Sequence, residues 1–330
     1  MDAVSQHVVL FTTGGTIASG YDADNDDVRV NTPGDKLAEM VRPALGDSQI
    51  RVVNFSEIGS FALDLDTAFR LVKKIQTTLG QPDTCGVVVT HGTDTLEETA
   101  FLADLIVDSE KPVVFTGSQR ANDEHNSDAL SNLTAALKVA MSKQARGMGT
   151  LVVFDDTIHA ARDVTKIHTM RVGAFRSGEN GQLGEIDDGR PIFYRRPARR
   201  ITFECESLEQ KVDLIKLALG ADARFIDCAL DSGAQALVLE AFGRGNATPA
   251  VLEGVKRASA RNVPVVITSR CPEGRVAPIY GHSGGASLRR ANSIFAGNLS
   301  AIKARILLAV LLGKPGLKEP LDEAIAAISL

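Results

Sequence analysis

Residues 86–107 read GVVVTHGTDTLEETAFLADLIV. Gly86–Thr90 is short, apolar and β-branched, the pattern of a strand buried on both faces. Thr95–Val107 has helix length. Its opening, Thr95-Leu96-Glu97-Glu98, has the form of a capping box, with the Thr95 hydroxyl over the first turn and Glu98 reaching back. Between them, His91-Gly92-Thr93-Asp94 is polar and carries a glycine, which suits a strand-to-helix loop. A strand apolar throughout and followed at once by a helix belongs to a parallel sheet with helices on both faces.

The same rhythm extends outward. Strands are expected at His7–Phe11, Ile50–Asn54, Pro112–Thr116 and Thr150–Phe154, with helices near Leu65–Leu79 and Asp128–Met141. The alternation breaks between about Phe175 and Arg200, where Gly, Asp, Arg and Pro are frequent. It resumes with strands at Val212–Leu219, Ala236–Glu240 and Pro264–Thr268. Thr248-Pro249 has the form of an N-cap followed by proline at the first helical position. A final helix is expected over Leu299–Leu312, stopped by Gly313. The chain is therefore read as α/β, with a parallel-sheet N-terminal domain over 1–195, a linker over 196–211 and a smaller α/β C-terminal domain over 212–330. The basic run Arg195-Arg196-Pro197-Ala198-Arg199-Arg200 is read as a solvated stretch at that linker.

Composition agrees with two globular domains: 330 residues, 44% hydrophobic and 23% charged. A net charge of -5 argues against a broad basic face for nucleic acid. No segment holds the ~20 consecutive apolar residues that span a bilayer. Met1–His7 lacks the basic and apolar regions of a secretory leader, so a cytoplasmic protein is expected. Cys85, Cys205, Cys228 and Cys271 are dispersed, with no Cys-x-x-Cys pair. They read as reduced and mostly buried thiols rather than a zinc site or a disulfide framework. The six histidines are scattered. No metal and no cofactor are expected, and His91 is read as a brace for its loop.

In open parallel sheets, ligands sit beyond the carboxyl ends of the strands. Thr12-Thr13-Gly14-Gly15-Thr16-Ile17-Ala18 follows the first expected strand, and Thr90-His91-Gly92-Thr93-Asp94-Thr95 follows the third. Each sets glycine beside a hydroxyl residue, and glycine permits close approach of a substrate. Neither has the spacing of a phosphate-binding loop. Either loop alone is uninformative; two from neighbouring strands would converge on one crevice.

Taken together, Thr-Gly-Gly-Thr-Ile-Ala at 13–18 and Thr-His-Gly-Thr-Asp-Thr-Leu-Glu-Glu-Thr at 90–99 resemble the two signatures of the bacterial-type L-asparaginases. Further matches follow in the same order: Lys111-Pro112-Val113-Val114, Asp155-Asp156-Thr157, Ala161-Arg162-Asp163-Val164-Thr165-Lys166, Gly243-Arg244-Gly245-Asn246 and Lys303-Ala304-Arg305. The resemblance covers essentially the whole chain. It implies a flavodoxin-like or Rossmann-like N-terminal domain and hydrolysis of L-asparagine to aspartate and ammonia, with glutamine as a side substrate. It also implies assembly as a homotetramer made of two close dimers. Thr16 matches the threonine assigned as nucleophile, and Thr93, Asp94 and Lys166 match a rigid Thr-Asp-Lys grouping. A threonine hydroxyl is a poor nucleophile until a neighbour takes or polarises its proton, and a lysine suits that task. Asp94 would orient Lys166 and grip the substrate α-ammonium. Ser60 matches the serine that holds the α-carboxylate, and Asn246 an asparagine lent to an adjacent subunit.

Three positions depart from the family pattern. The flap tyrosine expected about a dozen residues after Thr16 is absent from Asp27-Val28-Arg29-Val30-Asn31, which leaves Tyr21 as its substitute. Phe61 replaces the glutamine that follows the substrate-binding serine. Ile279-Tyr280-Gly281-His282 stands where the neighbouring subunit's acidic residue is expected. Two other readings accompany these departures: a non-catalytic amino-acid-binding or regulatory protein on this scaffold, and the amidase subunit of a tRNA-dependent amidotransferase.

Overall fold

The computed structural model describes residues 6–22, 25–46, 49–313 and 319–329. Met1–Ser5, most of the segment read for a leader, lies outside the described residues. The chain forms two units, Met1–Thr202 and Phe203–Leu330.

In the first unit the chain runs through β1 (His7–Thr12), β2 (Ser19–Asp22), β3 (Asp27–Val30), α1 (Gly34–Leu45) and β4 (Gln49–Asn54). It continues through α2 (Leu65–Leu79), β5 (Thr84–Thr90), α3 (Leu96–Ile106), β6 (Val113–Thr116), α4 (Ala129–Met141) and β7 (Thr150–Phe154). Then follow β8 (Thr157–Ala160), β9 (Thr165–Lys166), β10 (Phe175–Arg176), β11 (Gly184–Asp187) and β12 (Arg190–Phe193). The main sheet has eight strands in the order β12-β11-β8-β7-β6-β5-β1-β4. From β4 to β7 all pairs are parallel, as the continuous apolar strands require. Helices α1 and α4 pack on the sheet with each other, and α2 packs with α3. Val8, Leu10, Val88, Val114, Leu151 and Val153 meet Leu37, Val41, Leu133 and Leu137 in a buried core.

The chain leaves β1 toward β4 on one side and reaches β5 on the other, so β1 is the switch point of the sheet. The register sets Asn54, Thr12, Thr90 and Thr116 in one row across β4, β1, β5 and β6. These polar side chains stay satisfied at the buried strand ends. Thr12 Oγ1 donates to Asn54 Oδ1 at 2.9 Å, and Thr116 Oγ1 to the Val153 carbonyl at 2.8 Å. The loops that follow this row start from one level.

The second unit contains β13 (Val212–Lys216), α5 (Arg224–Asp231), β14 (Ala236–Ala241), α6 (Pro249–Ala260), β15 (Val265–Ser269), α7 (Gly285–Arg290), β16 (Ile294–Phe295), α8 (Ala301–Gly313) and α9 (Leu321–Ile328). Its four strands are parallel in the order β13-β14-β15-β16. Leu237, Leu239, Val265 and Ile267 pack against Ile226, Val251 and Val255 of α5 and α6. The Thr248 hydroxyl caps α6 by accepting from the Val251 amide at 3.2 Å, as the Thr-Pro pair predicts.

Several expectations are corrected. The parallel alternation ends at β8, which pairs antiparallel with β7, well before the change in composition near Phe175. The left-handed Asp155 and Asp156, with φ of 49° and 53°, make that reversal. The helix expected at Leu299–Leu312 is not the last, because α9 follows it. Gly313 ends α8 as its last residue, where an added Cβ would lie 2.0 Å from the Ser207 carbonyl oxygen; close packing, not a left-handed stop, calls for the glycine. The thiols are not mostly buried: Cys205 is, Cys85 is half-buried with its pKa pushed up by burial, and Cys228 and Cys271 are exposed. The basic run is exposed over Arg195, Arg196, Ala198 and Arg199, as expected, but three of its arginines also bind backbone carbonyls of the first unit. Arg195 donates to the Gln182 carbonyl, Arg196 to those of Gln144 and Arg146, and Arg200 to those of Val107 and Ser109. Backbone carbonyls left open at the ends of elements attract these guanidinium groups.

Candidate active site

The two threonine loops meet through their glycines. Gly14 and Gly15 have φ of 99° and 79°, a region that side-chain-bearing residues avoid. A Cβ on Gly14 would lie 2.6 Å from the Ile58 carbonyl oxygen, and one on Gly15 would lie 2.4 Å from the Gly92 α-carbon. The loop after β1 is thus wedged between the chain after β4 and the loop after β5. Thr13 ties it down, with its Oγ1 donating to the Thr90 carbonyl at 2.9 Å. Thr16 opens a single 3₁₀ turn, Thr16–Ala18, and is half-buried. Its hydroxyl makes no hydrogen bond among the described residues.

Gly92 in turn lies against Ser60, where its Cβ would be 2.6 Å from Ser60 Oγ. The Asp94 amide donates to Ser60 Oγ at 3.2 Å, and Thr95 Oγ1 donates to the Ser60 carbonyl at 2.9 Å. The Thr95 hydroxyl therefore does not cap α3: it is spent on the neighbouring loop, where a tertiary partner outcompetes the local one. His91 lies beneath this loop, 1% exposed, with Nδ1–H donating to the Gly92 carbonyl at 2.8 Å. Burial drives its pKa down to about 4, against a smaller upward pull from that hydrogen bond, so the ring is neutral. This is the brace expected from the sequence.

Lys166 reaches the loop from β9, a two-residue strand paired with β10 through Lys166↔Phe175 and Thr165↔Arg176. Phe175 is buried against Phe154 with ring centroids 4.8 Å apart, which seats the ribbon on the end of β7. Lys166 Nζ donates to Thr93 Oγ1 at 2.8 Å and to Asp94 Oδ1 at 2.9 Å. The Lys166 side chain is 15% exposed and that of Asp94 is 56% exposed. A polarised hydroxyl, a cation and an open carboxylate thus sit beside a second threonine loop and a serine. Such a set can orient a zwitterionic substrate and activate a hydroxyl for attack on a carbonyl carbon.

Residues 7–199 match the family domain described as Asparaginase, N-terminal, and residues 211–323 match the Glutaminase/Asparaginase C-terminal domain. The chain belongs to the asparaginase family. It is 35% identical to the L-asparaginase of Bacillus licheniformis, over 96% of this chain and 99% of that protein. It is 38% identical to a protein of Deinococcus radiodurans described as a probable L-asparaginase, over 94% of each chain. The crystal structure of a probable cytoplasmic L-asparaginase from Campylobacter jejuni superposes with a TM-score of 0.87 at 29% identity, over 98% of this chain and 99% of that one.

Within this asparaginase fold, Thr93, Asp94, Lys166 and Ser60 form one hydrogen-bonded set, and the Gly15–Gly92 contact brings the Thr16 loop against it. Tyr21 lies on the β2–β3 hairpin, 56% exposed, and its hydroxyl donates to Asp26 Oδ1 at 2.6 Å. That hydrogen bond raises its pKa, with smaller contributions from desolvation and from Asp27. Phe61 is 80% exposed, with its ring folded over Gly59, where a Cβ would meet it at 2.5 Å. Asn246 belongs to the second unit. Its backbone pairs with Phe242, and its Oδ1 accepts from the Gly285 amide at 3.1 Å. Ile279 and Tyr280 of the same unit are exposed. Among the described residues, no group of three or more His, Cys, Asp or Glu is placed to hold a metal ion, and no helix is long and apolar enough to cross a membrane.

Thr95 was read only as a helix cap, and Glu97 and Thr165 were given no role by the sequence beyond their place in the quoted motifs. Glu97 is 6% exposed, and its carboxyl accepts from Thr165 Oγ1 at 2.6 Å and from the Lys166 amide at 3.1 Å. One signal was available: of the two acidic residues in the first turn of α3, Glu97 lies among the buried apolar positions of the helix and Glu98 does not.

Proposed function

We propose that Thr16 attacks the side-chain amide of asparagine while Thr93, Asp94 and Lys166 manage protons and hold the substrate's amino end. As a member of the asparaginase family the chain is an amidohydrolase that converts asparagine to aspartate and ammonia, so a purely binding role falls away. The observation that carries the residue-level reading is the pair of hydrogen bonds from Lys166 Nζ to Thr93 Oγ1 and Asp94 Oδ1.

In the proposed sequence, Thr16 Oγ bonds to the amide carbon as its proton passes to Thr93 Oγ1, the Thr93 hydroxyl gives its own proton toward the amide nitrogen, and Lys166 Nζ donates to Thr93 Oγ1 and polarises it without accepting a proton. The tetrahedral adduct then expels the amine as the C–N bond breaks, and the proton is delivered to it, releasing ammonia. Water hydrolyses the remaining ester to aspartate and restores the Thr16 hydroxyl. The Asp94 carboxylate oxygen not used by Lys166 faces the α-ammonium, and the Ser60 hydroxyl donates to the α-carboxylate. Tyr21 serves as a hydroxyl donor near the Thr16 loop once its O–H leaves Asp26 Oδ1, to which it donates here. Phe61 lines the substrate's amino end, and glutamine is a poorer second substrate. The working form is a cytoplasmic homotetramer, a dimer of dimers in which Asn246 serves an adjacent subunit's site.

Lys166→Met tests the central claim. Ammonia release from asparagine should fall on the order of 10²-fold or more, because the methionine keeps the stem but cannot donate to Thr93. Turnover within twofold of the parent would overturn the role given to Lys166.

A further inference from the structure

Acidic side chains are almost never as buried as Glu97 unless something holds them there. Here both carboxyl oxygens are given to one dipeptide: Oε2 accepts from the Thr165 hydroxyl and Oε1 from the Lys166 amide. We infer that Glu97 is a positioning residue, whose carboxyl holds residues 165–166 so that Lys166 Nζ meets Thr93.

The geometry supports the inference in three ways. Among the described residues β9 is two residues long and pairs only with β10; the flanking amides of Val164 and Ile167 go to the Ala160 and Ala174 carbonyls, and Glu97 takes the Lys166 amide itself. Side chains alternate across a strand, so Thr165 and Lys166 point to opposite faces. Glu97 takes the first of these and the backbone, which leaves the Lys166 side chain to reach Thr93 and Asp94. Finally, Thr93, Asp94 and Glu97 lie on one short stretch that ends in the first turn of α3. Lys166 is thus held at its backbone and at its ammonium by the same rigid segment. A lysine stem keeps its rotamer freedom when its backbone is fixed, so both anchors matter: Glu97 sets where the stem starts, and Thr93 and Asp94 hold the ammonium at its far end. The helix N-terminus favours an acidic group at this place.

This inference rests on the role given to Lys166 above, so the test separates the two. Steady-state ammonia release from asparagine is measured for the parent, Glu97→Ala, Glu97→Gln, Lys166→Ala and the double variant Glu97→Ala/Lys166→Ala. Glu97→Ala should lower kcat about 30-fold or more with KM within about threefold, and adding it to Lys166→Ala should cost less than about threefold further, because the two act as one unit. Glu97→Gln should restore kcat to within several-fold of the parent. Its amide oxygen can still accept from Lys166, and its NH₂ can donate to a rotated Thr165 hydroxyl. Unchanged kcat in Glu97→Ala overturns the inference. So does an equal cost of Glu97→Ala in the parent and in the Lys166→Ala background, which marks a general structural role. Near-normal turnover in Lys166→Ala overturns both readings. Should Glu97→Ala fail to fold, Thr165→Val decides in its place: a fall in kcat at steady KM supports the inference, and an unchanged kcat overturns it.

Discussion

Thr16 and Thr93 differ in their surroundings, and the difference predicts different mutant behaviour. Thr93 is buried with its hydroxyl engaged by Lys166, whereas the Thr16 hydroxyl has no hydrogen-bond partner among the described residues. Thr16→Ala and Thr93→Ala should each lower kcat on the order of 10³-fold with little change in thermal midpoint, since only one small hydroxyl is removed. Thr16→Ser should keep measurable turnover because the attacking oxygen remains. Near-normal turnover in Thr16→Ala would move the nucleophile elsewhere. His91 adds a pH dependence. Its folded pKa of about 4 lies below the ordinary 6.5, so its contribution to stability is complete above about pH 6.5 and is lost as pH falls toward 4. The full span is on the order of 3 kcal/mol. Urea unfolding at pH 7 and pH 4.5 should therefore show a larger acid loss for the parent than for His91→Asn, and equal losses would contradict the burial argument.

Two elements depend on single residues. The 3₁₀ turn that carries Thr16 is set by Gly15, whose left-handed φ and contact with Gly92 leave no room for a methyl group. Gly15→Ala should separate the two threonine loops and lower kcat by at least about tenfold, while far-ultraviolet circular dichroism stays unchanged. Full activity in that variant would show that the loops do not need to touch. In the second unit, Thr248 caps α6 and also donates to the Ala221 carbonyl at 2.7 Å. Thr248→Ala should cost about 1–2 kcal/mol of stability, read from the denaturant midpoint, without altering KM for asparagine.

At the scale of the whole molecule, the proposed assembly predicts a light-scattering mass four times that of the 35.1 kDa chain. Asn246→Ala should lower turnover without changing that mass if the residue serves an adjacent subunit. A monomer with full activity would rule out both the tetramer and the shared site. Each unit carries its own sheet and core, with α1 to α4 on the larger sheet and α5, α6 and α8 on the smaller.

Local pattern was enough for the parallel strands β1, β4 to β7 and β13 to β15, though not for the two-residue β16, and for α2 over Leu65–Leu79, the α6 cap and the two threonine loops. Those features follow from periodicity and from glycine or proline at fixed offsets, which neighbouring residues alone determine. It did not announce α1, which begins at Gly34 and contains Pro43, two residues that argue against a helix until core packing outweighs them. Nor did it announce the antiparallel strands β8, β11 and β12, or the ribbon β9–β10, because strands of two to four residues carry too little period to be read. Family resemblance pointed to Lys166 and Thr93, but their meeting is a contact between residues 73 apart, made possible by Glu97, Phe175 and the end of β7. Thr95 shows the same limit: its local rule predicted a helix cap, and the Ser60 carbonyl, 35 residues away, took the hydroxyl instead. Short-range preference decides an element when nothing outside competes for its groups; at the site, distant groups do compete, and only the folded chain decides which one wins.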